Sequence, residues 1–166
     1  MMPWDERFRK GEHTGRAPAE ALVKLVGEIP AGRALDLACG AGRHSTLLAR
    51  RGWYVIAVDS SAVALSLIAP DHRIRKVLAD LAEREFAIEP RGYDLIVCWH
   101  YWQADLIEPM LLGVRPGGVL AMAARVRGRF AAQVELMDAS VAMCQIQHRV
   151  LTEGVIELIA RKPPAI

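Results

Sequence analysis

The segment that most constrains this chain is the short run from Arg33 to Arg43, which reads R-A-L-D-L-A-C-G-A-G-R. An apolar stretch that carries one acid leads into a glycine-bearing turn, and helix-forming residues follow as far as Gly52. Glycine permits the sharp bend and brings no side chain that would hold a ligand away. A strand, a tight turn and a helix in this order present helix N–H groups to whatever lies over the turn. The run therefore predicts a loop for a nucleoside-type cofactor at the end of a first parallel strand.

Length and composition favour a single globular domain over residues 1–166, with residues 1–16 as an N-terminal arm that could fold over a site. Apolar residues make up 52% of the 166 residues and charged residues 24%, which is typical of a chain with a real core. The net charge of +2 gives little reason to expect a nucleic-acid partner. No apolar run approaches the roughly 18 residues of a membrane span. We therefore expect a soluble, cytoplasmic protein without a membrane partner.

The order of apolar runs and helix-like segments predicts five strand–helix units followed by a hairpin. The predicted strands are Leu35–Ala38, Tyr54–Asp59, Ile74–Asp80, Tyr93–Cys98, Val119–Ala124, Cys144–Leu151 and Val155–Arg161. Asp80 and Glu83 have the spacing of a capping box, which predicts a helix over Leu81–Phe86. The pattern as a whole predicts an α/β fold with a doubly wound, mostly parallel seven-stranded sheet and a C-terminal antiparallel hairpin.

The three cysteines, Cys39, Cys98 and Cys144, follow no metal-ligand spacing. Each lies in an apolar segment, so we interpret them as small buried residues of a protein from a reducing compartment. We expect no metal site.

The position of the acids narrows the choice of cofactor. Nicotinamide dinucleotides and S-adenosylmethionine both use a glycine turn of this kind, with an acid after the second strand. Asp36 lies inside the first strand, where a carboxylate would repel a pyrophosphate but suits a ligand with an ammonium and a sulfonium group. Ser45 stands where a dinucleotide loop has its third glycine. A nicotinamide oxidoreductase therefore stays only as a less favoured reading.

Four motifs in order carry a resemblance to a known family. They are Asp36-x-Ala38-x-Gly40-x-Gly42, Asp59 at the end of strand two, Asp80-Leu81 after strand three and Pro116-Gly117-Gly118 before strand five. Together they resemble the class I S-adenosylmethionine-dependent methyltransferases, over Ala31 to Lys162. The runs L-D-L-A-C-G-A-G-R-H-S and V-D-S-S-A-V-A-L are similar to the small methyltransferases of the tellurite-resistance type.

The resemblance implies a cofactor site for S-adenosyl-L-methionine and assigns residues to it. Those residues are Asp36, Ala38, Cys39, Gly40, Gly42, Asp59, Ser60, Asp80, Leu81 and Cys98. In the family pattern, Asp36 anchors the turn and the methionine amino group. Asp59 takes the two ribose hydroxyls. Ala38, Cys39 and Gly40 line the methionine arm.

The remaining positions would surround the adenine and the sulfur. Ser60 would flank the adenine ring. Asp80 would accept a hydrogen bond from the adenine amino group, while Leu81 donates its backbone N–H to a ring nitrogen. Cys98 would lie beside the sulfonium. Arg43 and His44 open a helix, where a cation is unfavourable, and a contact with the methionine carboxylate is one explanation.

The acceptor is harder to infer. His100 is the best candidate for a catalytic base, because its unperturbed pKa lies near neutrality, although a structural histidine is an open alternative. A soft acceptor such as a thiolate or a reduced metalloid needs no base, and the Asn/Asp-Pro-Pro-aromatic loop of many amine methyltransferases is absent. We expect a small, soft acceptor and direct in-line displacement. Because the segments that build acceptor pockets are short, a homodimer could complete the pocket, or the chain could be a non-catalytic cofactor-binding protein.

Overall fold

The structure is a computed structural model that describes residues 3–166. The helices are α1 Pro3–Arg9, α2 Glu20–Glu28, α3 Arg43–Arg50, α4 Ala62–Leu67, α5 Ile107–Gly113 and α6 Phe130–Ser140, with one 3₁₀ turn at Ala104–Leu106. The strands are β1 Arg33–Leu37, β2 Tyr54–Asp59, β3 Ile74–Leu78, β4 Tyr93–Trp99, β5 Val114–Arg125, β6 Gln145–Thr152 and β7 Val155–Arg161.

These strands form one seven-stranded sheet in the order β3-β2-β1-β4-β5-β7-β6. β1 pairs with β2, β2 with β3 and β4 with β5 in parallel, whereas β7 pairs antiparallel with both β5 and β6. The prediction of a mostly parallel seven-stranded sheet with a C-terminal antiparallel hairpin is thereby confirmed.

The chain divides into two compact units, the first ending at Ala87 and the second spanning Ile88–Ile166. The first holds β1 to β3 with α1 to α4, and the second holds β4 to β7 with α5 and α6. The organisation into a single domain stays a prediction. Among residues 3–166, no helix has the length and apolar character that crossing a bilayer requires.

The core of the first unit forms where the apolar faces of β1 and β2 meet the helices that follow them. Leu35 and Leu37 of β1 are fully buried, as is Ala57 of β2. Ala57 packs with Cys39, Leu65 and Ile68, so the end of α4 is fixed against the sheet beside the glycine turn. Burial of each leucine or isoleucine side chain in this core contributes roughly 1.5–3 kcal/mol.

The predicted helix over Leu81–Phe86 is wrong. Residues 81–84 form a turn instead, and Arg84 has a left-handed backbone (φ +57°) that ends any helical hydrogen bonding. The predicted capping box is also wrong in its partner, because the Asp80 N–H donates to Oε2 of Glu85 (2.7 Å) rather than to Glu83. The Asp80 carboxylate instead accepts the Ala82 N–H at 2.9 Å, which stabilises a local turn.

Three further differences concern boundaries and burial. The N-terminal arm contains a regular helix, α1. β5 begins at Val114 rather than at Val119, because Val114 pairs with Tyr93 and the ladder resumes at Leu95 and Val119 after an irregularity. Cys39 and Cys98 are buried as expected, but Cys144 is only partly buried, and all three are free thiols.

Gly42 offers a test of the glycine turn. Its φ is +78°, and a Cβ there would lie 2.6 Å from Cγ1 of the buried Ile68. We expect Gly42→Ala to lower the free energy of unfolding by about 1–2 kcal/mol for the left-handed backbone and by a further 1–3 kcal/mol, roughly, for the clash. Chemical denaturation measures both.

Gly52→Ala is the matched control, because Gly52 also has a left-handed backbone (φ +89°) but its Cβ would meet Ala31 at an ordinary 3.7 Å. Equal losses of stability in the two variants would contradict the packing of Ile68 against the turn.

Candidate cofactor site

The glycine turn between β1 and α3 is built from alternating left-handed residues. Ala38, Gly40 and Gly42 have φ values of +52°, +57° and +78°. The Cys39 N–H donates to the Val58 carbonyl oxygen (3.0 Å), and the Gly42 N–H donates to the Cys39 carbonyl oxygen (3.0 Å). The turn is therefore held to β2 at its centre. Ala38 is the unusual member, because a non-glycine residue in this region carries a steric cost that often accompanies a functional site.

Asp36 fastens the start of α3. Its side chain is only 1% exposed, and the Ser45 hydroxyl donates to its Oδ2 at 2.6 Å. Burial raises the pKa of Asp36 to about 7, partly offset by the Ser45 hydroxyl, while the charge of Asp59 raises it further. The anchoring of the turn that the resemblance assigned to Asp36 thus has a visible partner. Sequence reasoning missed Ser45 in this role and noted it only as the missing third glycine.

Asp59 joins the ends of β1 and β2. Its Oδ2 accepts the Gly40 N–H at 2.8 Å, and its Oδ1 accepts the Ser61 N–H at 2.9 Å. Burial raises the pKa of Asp59, although these backbone N–H groups and that of Ser60 oppose the increase. The carboxylate is therefore fixed beside Gly40, and part of its acceptor capacity stays available for a further hydrogen bond.

Asp36 and Asp59 together concentrate negative charge at the glycine turn. Burial raises the pKa of both carboxyls, and the charge of Asp59 raises the pKa of Asp36 further. The guanidinium of Arg43 lowers the pKa of Asp36 only as a minor contribution. Two carboxylates in a partly dry environment favour a cationic ligand and disfavour an anionic one. The arrangement thus suits a ligand with positive charge near the turn.

Cys39 provides packing volume rather than reactivity. Burial raises the pKa of its thiol well above the usual value, and Asp36 and Asp59 add to that increase. The Sγ–H donates to the Gly40 carbonyl oxygen at 3.5 Å. A thiol held protonated in this way is a poor nucleophile.

Asp80 and Leu81 lie close to Asp59 through the backbone. The Ala79 N–H donates to the Asp59 carbonyl oxygen at 3.0 Å, which places the segment that follows β3 beside the end of β2. Leu81 is buried, and Asp80 is partly buried with its carboxylate on the Ala82 N–H. The structure therefore brings Asp36, the glycine turn, Asp59 and the segment at Asp80 together within the first unit. Their contacts with a cofactor stay predictions.

Cys98 and His100 belong to the second unit. Cys98 is buried near the end of β4, where its Sγ–H donates to the Tyr101 carbonyl oxygen at 3.8 Å. His100 follows β4 with an exposed side chain and a left-handed backbone (φ +64°), and its N–H donates to the Ala123 carbonyl oxygen at 2.6 Å. A histidine in this strained conformation is uncommon and concentrates at functional sites. The roles predicted for both residues stay predictions.

Arg43 and His44 hold the segment before α2. Nη1 of Arg43 donates to the Ala17 carbonyl oxygen at 3.0 Å, and Nε2 of the buried His44 accepts the Ala19 N–H at 3.0 Å. These contacts explain the presence of Arg43 and His44 at the N-terminus of α3, where both residue types are unfavourable. The alternative contact with a methionine carboxylate stays a prediction.

The N-terminal arm supplies contacts that the sequence did not specify. Phe8 of α1 is buried, and its ring lies 3.4 Å from where a Cβ of Gly40 would be. The Asp5 carboxylate lies on the first turn of α4, where it accepts the Ser61 hydroxyl hydrogen. These contacts bring α1 to Gly40 and to the start of α4. That the arm folds over a bound ligand stays a prediction. Isolated aromatic residues in a polar segment were the only sequence signal.

A family model described as "Methyltransferase domain" matches residues 34–118, about half of the chain. Among curated proteins, the chain is similar to a trans-aconitate 2-methyltransferase of Rhizobium meliloti (strain 1021), with 31% identity over 129 residues. That match covers 73% of this chain and 49% of the relative. The chain thus spans about half the length of this relative.

Solved structures share the fold. An S-adenosylmethionine-dependent methyltransferase from Mesorhizobium loti superposes with a TM-score of 0.69 at 16% identity, over 86% of this chain and 96% of that one. TehB from Haemophilus influenzae superposes with a TM-score of 0.73 at 16% identity, over 95% of this chain and 67% of that one. With the matched domain and the glycine turn between β1 and α3, this chain belongs to the class I S-adenosylmethionine-dependent methyltransferase family.

Proposed function

We propose that this chain binds S-adenosyl-L-methionine at its glycine turn and transfers the methyl group to a small acceptor. One observation carries the proposal: two buried carboxylates, Asp36 and Asp59, meet at the same turn, and one of them is fixed directly on the Gly40 N–H. At a turn that binds a pyrophosphate, these carboxylates would repel the anionic ligand. A ligand with a sulfonium and an ammonium group gains from their charge.

The residues of the first unit fit the parts of this cofactor. Backbone N–H groups of Gly40, Ser60 and Ser61 hydrogen-bond to the Asp59 carboxylate. Because two carboxylate oxygens offer about four lone-pair directions, Asp59 keeps acceptor capacity for a ribose hydroxyl. Asp36 is almost fully buried and acts mainly by holding the start of α3 through Ser45, and a cation at the turn would favour its ionised form. Ala38 and Gly40 are partly exposed, so the methionine arm can lie against them. Ser60, Asp80 and Leu81 would flank the adenine.

When bound, S-adenosylmethionine supplies a methyl group that positive sulfur already activates, so a nucleophile can take it in a single in-line displacement. The chain's contribution is then to orient the acceptor and to exclude water. A soft acceptor, a thiol or a reduced metalloid, is our preferred class, because it can react without a strong base. The relative from Rhizobium meliloti carries the name of a different acceptor, trans-aconitate, which belongs in the same test.

The cofactor assignment is tested by calorimetry with S-adenosylmethionine and S-adenosylhomocysteine. We expect both to bind, and Asp59→Ala to weaken binding by about 1–3 kcal/mol because ribose hydroxyls lose their acceptor. Asp71→Ala is the matched control. Oδ1 of Asp71 accepts the Arg73 N–H (2.8 Å) in the same local geometry as Oδ1 of Asp59 with Ser61, in a turn before β3. Equal affinities in the two variants would contradict the assignment, and a melting curve for each verifies folding.

The burial of Asp36 gives a pH dependence with a defined sign. Its pKa is about 7 in the folded protein against an ordinary 3.8, so the unfolded chain loses this proton first as pH rises. Stability should therefore fall between about pH 4 and pH 7 and level off above it, at roughly 1.4 kcal/mol for each unit of pKa difference.

Asp36→Asn should remove this contribution. Because Asp59 adds a decline of the same sign, the measured quantity is the difference in unfolding free energy between wild type and Asp36→Asn across that pH window. A difference that does not change with pH would show that Asp36 is not buried in this way.

Methyl transfer is tested with labelled cofactor and a panel of thiols, reduced metalloid oxyanions, small phenols and trans-aconitate. If His100 is the base, His100→Asn should lower turnover on an oxygen acceptor by about 10²-fold and leave cofactor affinity unchanged. Asparagine tolerates the left-handed backbone at this position, and the exposed His72→Asn is the control. Unchanged turnover would make His100 structural, whereas cofactor binding without transfer across the panel would favour a non-catalytic cofactor-binding protein.

A further inference from the structure

The contacts of α1 extend into the glycine turn through one continuous chain of hydrogen bonds. We propose that Asp5 is a positioning residue that couples the N-terminal helix to the cofactor turn through Ser61 and Asp59. The coupling makes α1 a wall of the site whose docking and cofactor binding stabilise each other. The part of this inference that concerns the ligand rests on the proposed function.

The first link joins α1 to the start of α4. The Ser61 hydroxyl donates to Oδ1 of Asp5 at 2.5 Å, and the Val63 N–H donates to the same oxygen at 3.3 Å. The Ser61 oxygen in turn accepts the Ala64 N–H at 3.1 Å, and Ser61 is fully buried. Its hydroxyl is therefore fixed in direction, with one donor and one acceptor partner. Asp5 thus completes the cap of α4 from a distant part of the chain.

The second link leads from Ser61 to the glycine turn. The backbone N–H of Ser61 donates to Oδ1 of Asp59, and Oδ2 of the same carboxylate accepts the Gly40 N–H. The hydrogen bonds therefore connect Asp5, Ser61, Asp59 and Gly40 without a gap. A shift of α1 away from α4 releases the Ser61 hydroxyl and loosens the turn that fixes Asp59.

A second and independent contact brings α1 to the same place. Phe8 is 7% exposed, and its Cζ lies 3.4 Å from where a Cβ of Gly40 would stand. Phe8 packs beside Trp4 and His13, with ring centroids 6.4 and 6.3 Å away. The helix is thus fixed by a polar contact at α4 and by an apolar contact at Gly40. Because Gly40 itself is still partly exposed, α1 borders the turn and leaves a face of it accessible.

Charge explains why ligand and helix should support each other. Asp5 brings a further carboxylate close to Asp59, and its charge raises the pKa of Asp59. A cationic ligand at the turn relieves the repulsion that docking of α1 creates. Thermodynamic linkage then requires that docking of α1 strengthens binding of that ligand by the same factor.

The test compares three variants of the full chain by hydrogen exchange and by calorimetry with S-adenosylhomocysteine. Asp5→Ala removes the acceptor, and Asp5→Asn keeps an acceptor oxygen for Ser61 and Val63. Glu6→Ala is the matched control, because Glu6 carries the same charge on the same helix but pairs with Lys10 (2.9 Å) in solvent.

In the ligand-free protein, we expect Asp5→Ala to speed exchange of the Val63 and Gly40 amides by about tenfold. Asp5→Asn should restore most of the protection, and Glu6→Ala should not change it. The Kd for S-adenosylhomocysteine should rise about tenfold in Asp5→Ala, with less than a twofold change in Glu6→Ala.

Unchanged exchange at Gly40 in Asp5→Ala would overturn the coupling. So would an Asp5→Asn variant whose Val63 and Gly40 amides exchange as fast as those of Asp5→Ala. Tighter binding in Asp5→Ala would also overturn it, because α1 would then block the site instead of bordering it. Failure of the wild-type protein to bind S-adenosylhomocysteine would refute the proposed function instead, and the exchange of the ligand-free variants would still decide the coupling.

Discussion

The bridge that Asp59 forms between two backbone N–H groups is the constraint on which the first unit depends. One oxygen accepts from Gly40 in the turn after β1, and the other accepts from Ser61 in the turn after β2. The carboxylate thereby fixes two loops that enter α3 and α4. A neutral side chain could not accept two backbone donors as strongly. A ligand that lies across the ends of β1 and β2 would therefore meet a surface that is already rigid.

This rigidity has a cost in electrostatics. Asp36 and Asp59 are both buried, and burial raises the pKa of each. Two buried acids this close together are unfavourable for stability, because each disfavours the ionisation of the other. Their partners are hydrogen-bond donors, the Ser45 hydroxyl and backbone N–H groups, rather than neutralising cations. Two carboxylates without a neutralising cation suit the cationic cofactor of the family. Asp5 of the N-terminal helix contributes a further carboxylate.

Much of this arrangement was predictable because it depends on short-range patterns. The alternation of apolar runs with helix-forming segments locates all seven strands, and the acids at the ends of β1 and β2 follow from their positions in those runs. The turn at residues 81–84 was not predictable in the same way. Asp80 and Glu83 have the spacing of a helix start, but the Asp80 N–H reaches Glu85 and Arg84 adopts a left-handed backbone. Local propensity cannot resolve a competition between two acceptors this close in sequence.

The amino-acid sequence alone predicted the mostly parallel sheet with its C-terminal hairpin, the glycine turn, the family and the acids near the ends of β1 and β2. Each of these depends on short motifs and on the order of apolar runs along the chain. Only the tertiary structure decided what those acids touch. Ser45 lies nine positions beyond Asp36, and Asp5 lies far before Ser61. Such pairs form only when the chain has packed, because their geometry depends on where α1, α3 and α4 lie against the sheet and not on any periodicity of the residues.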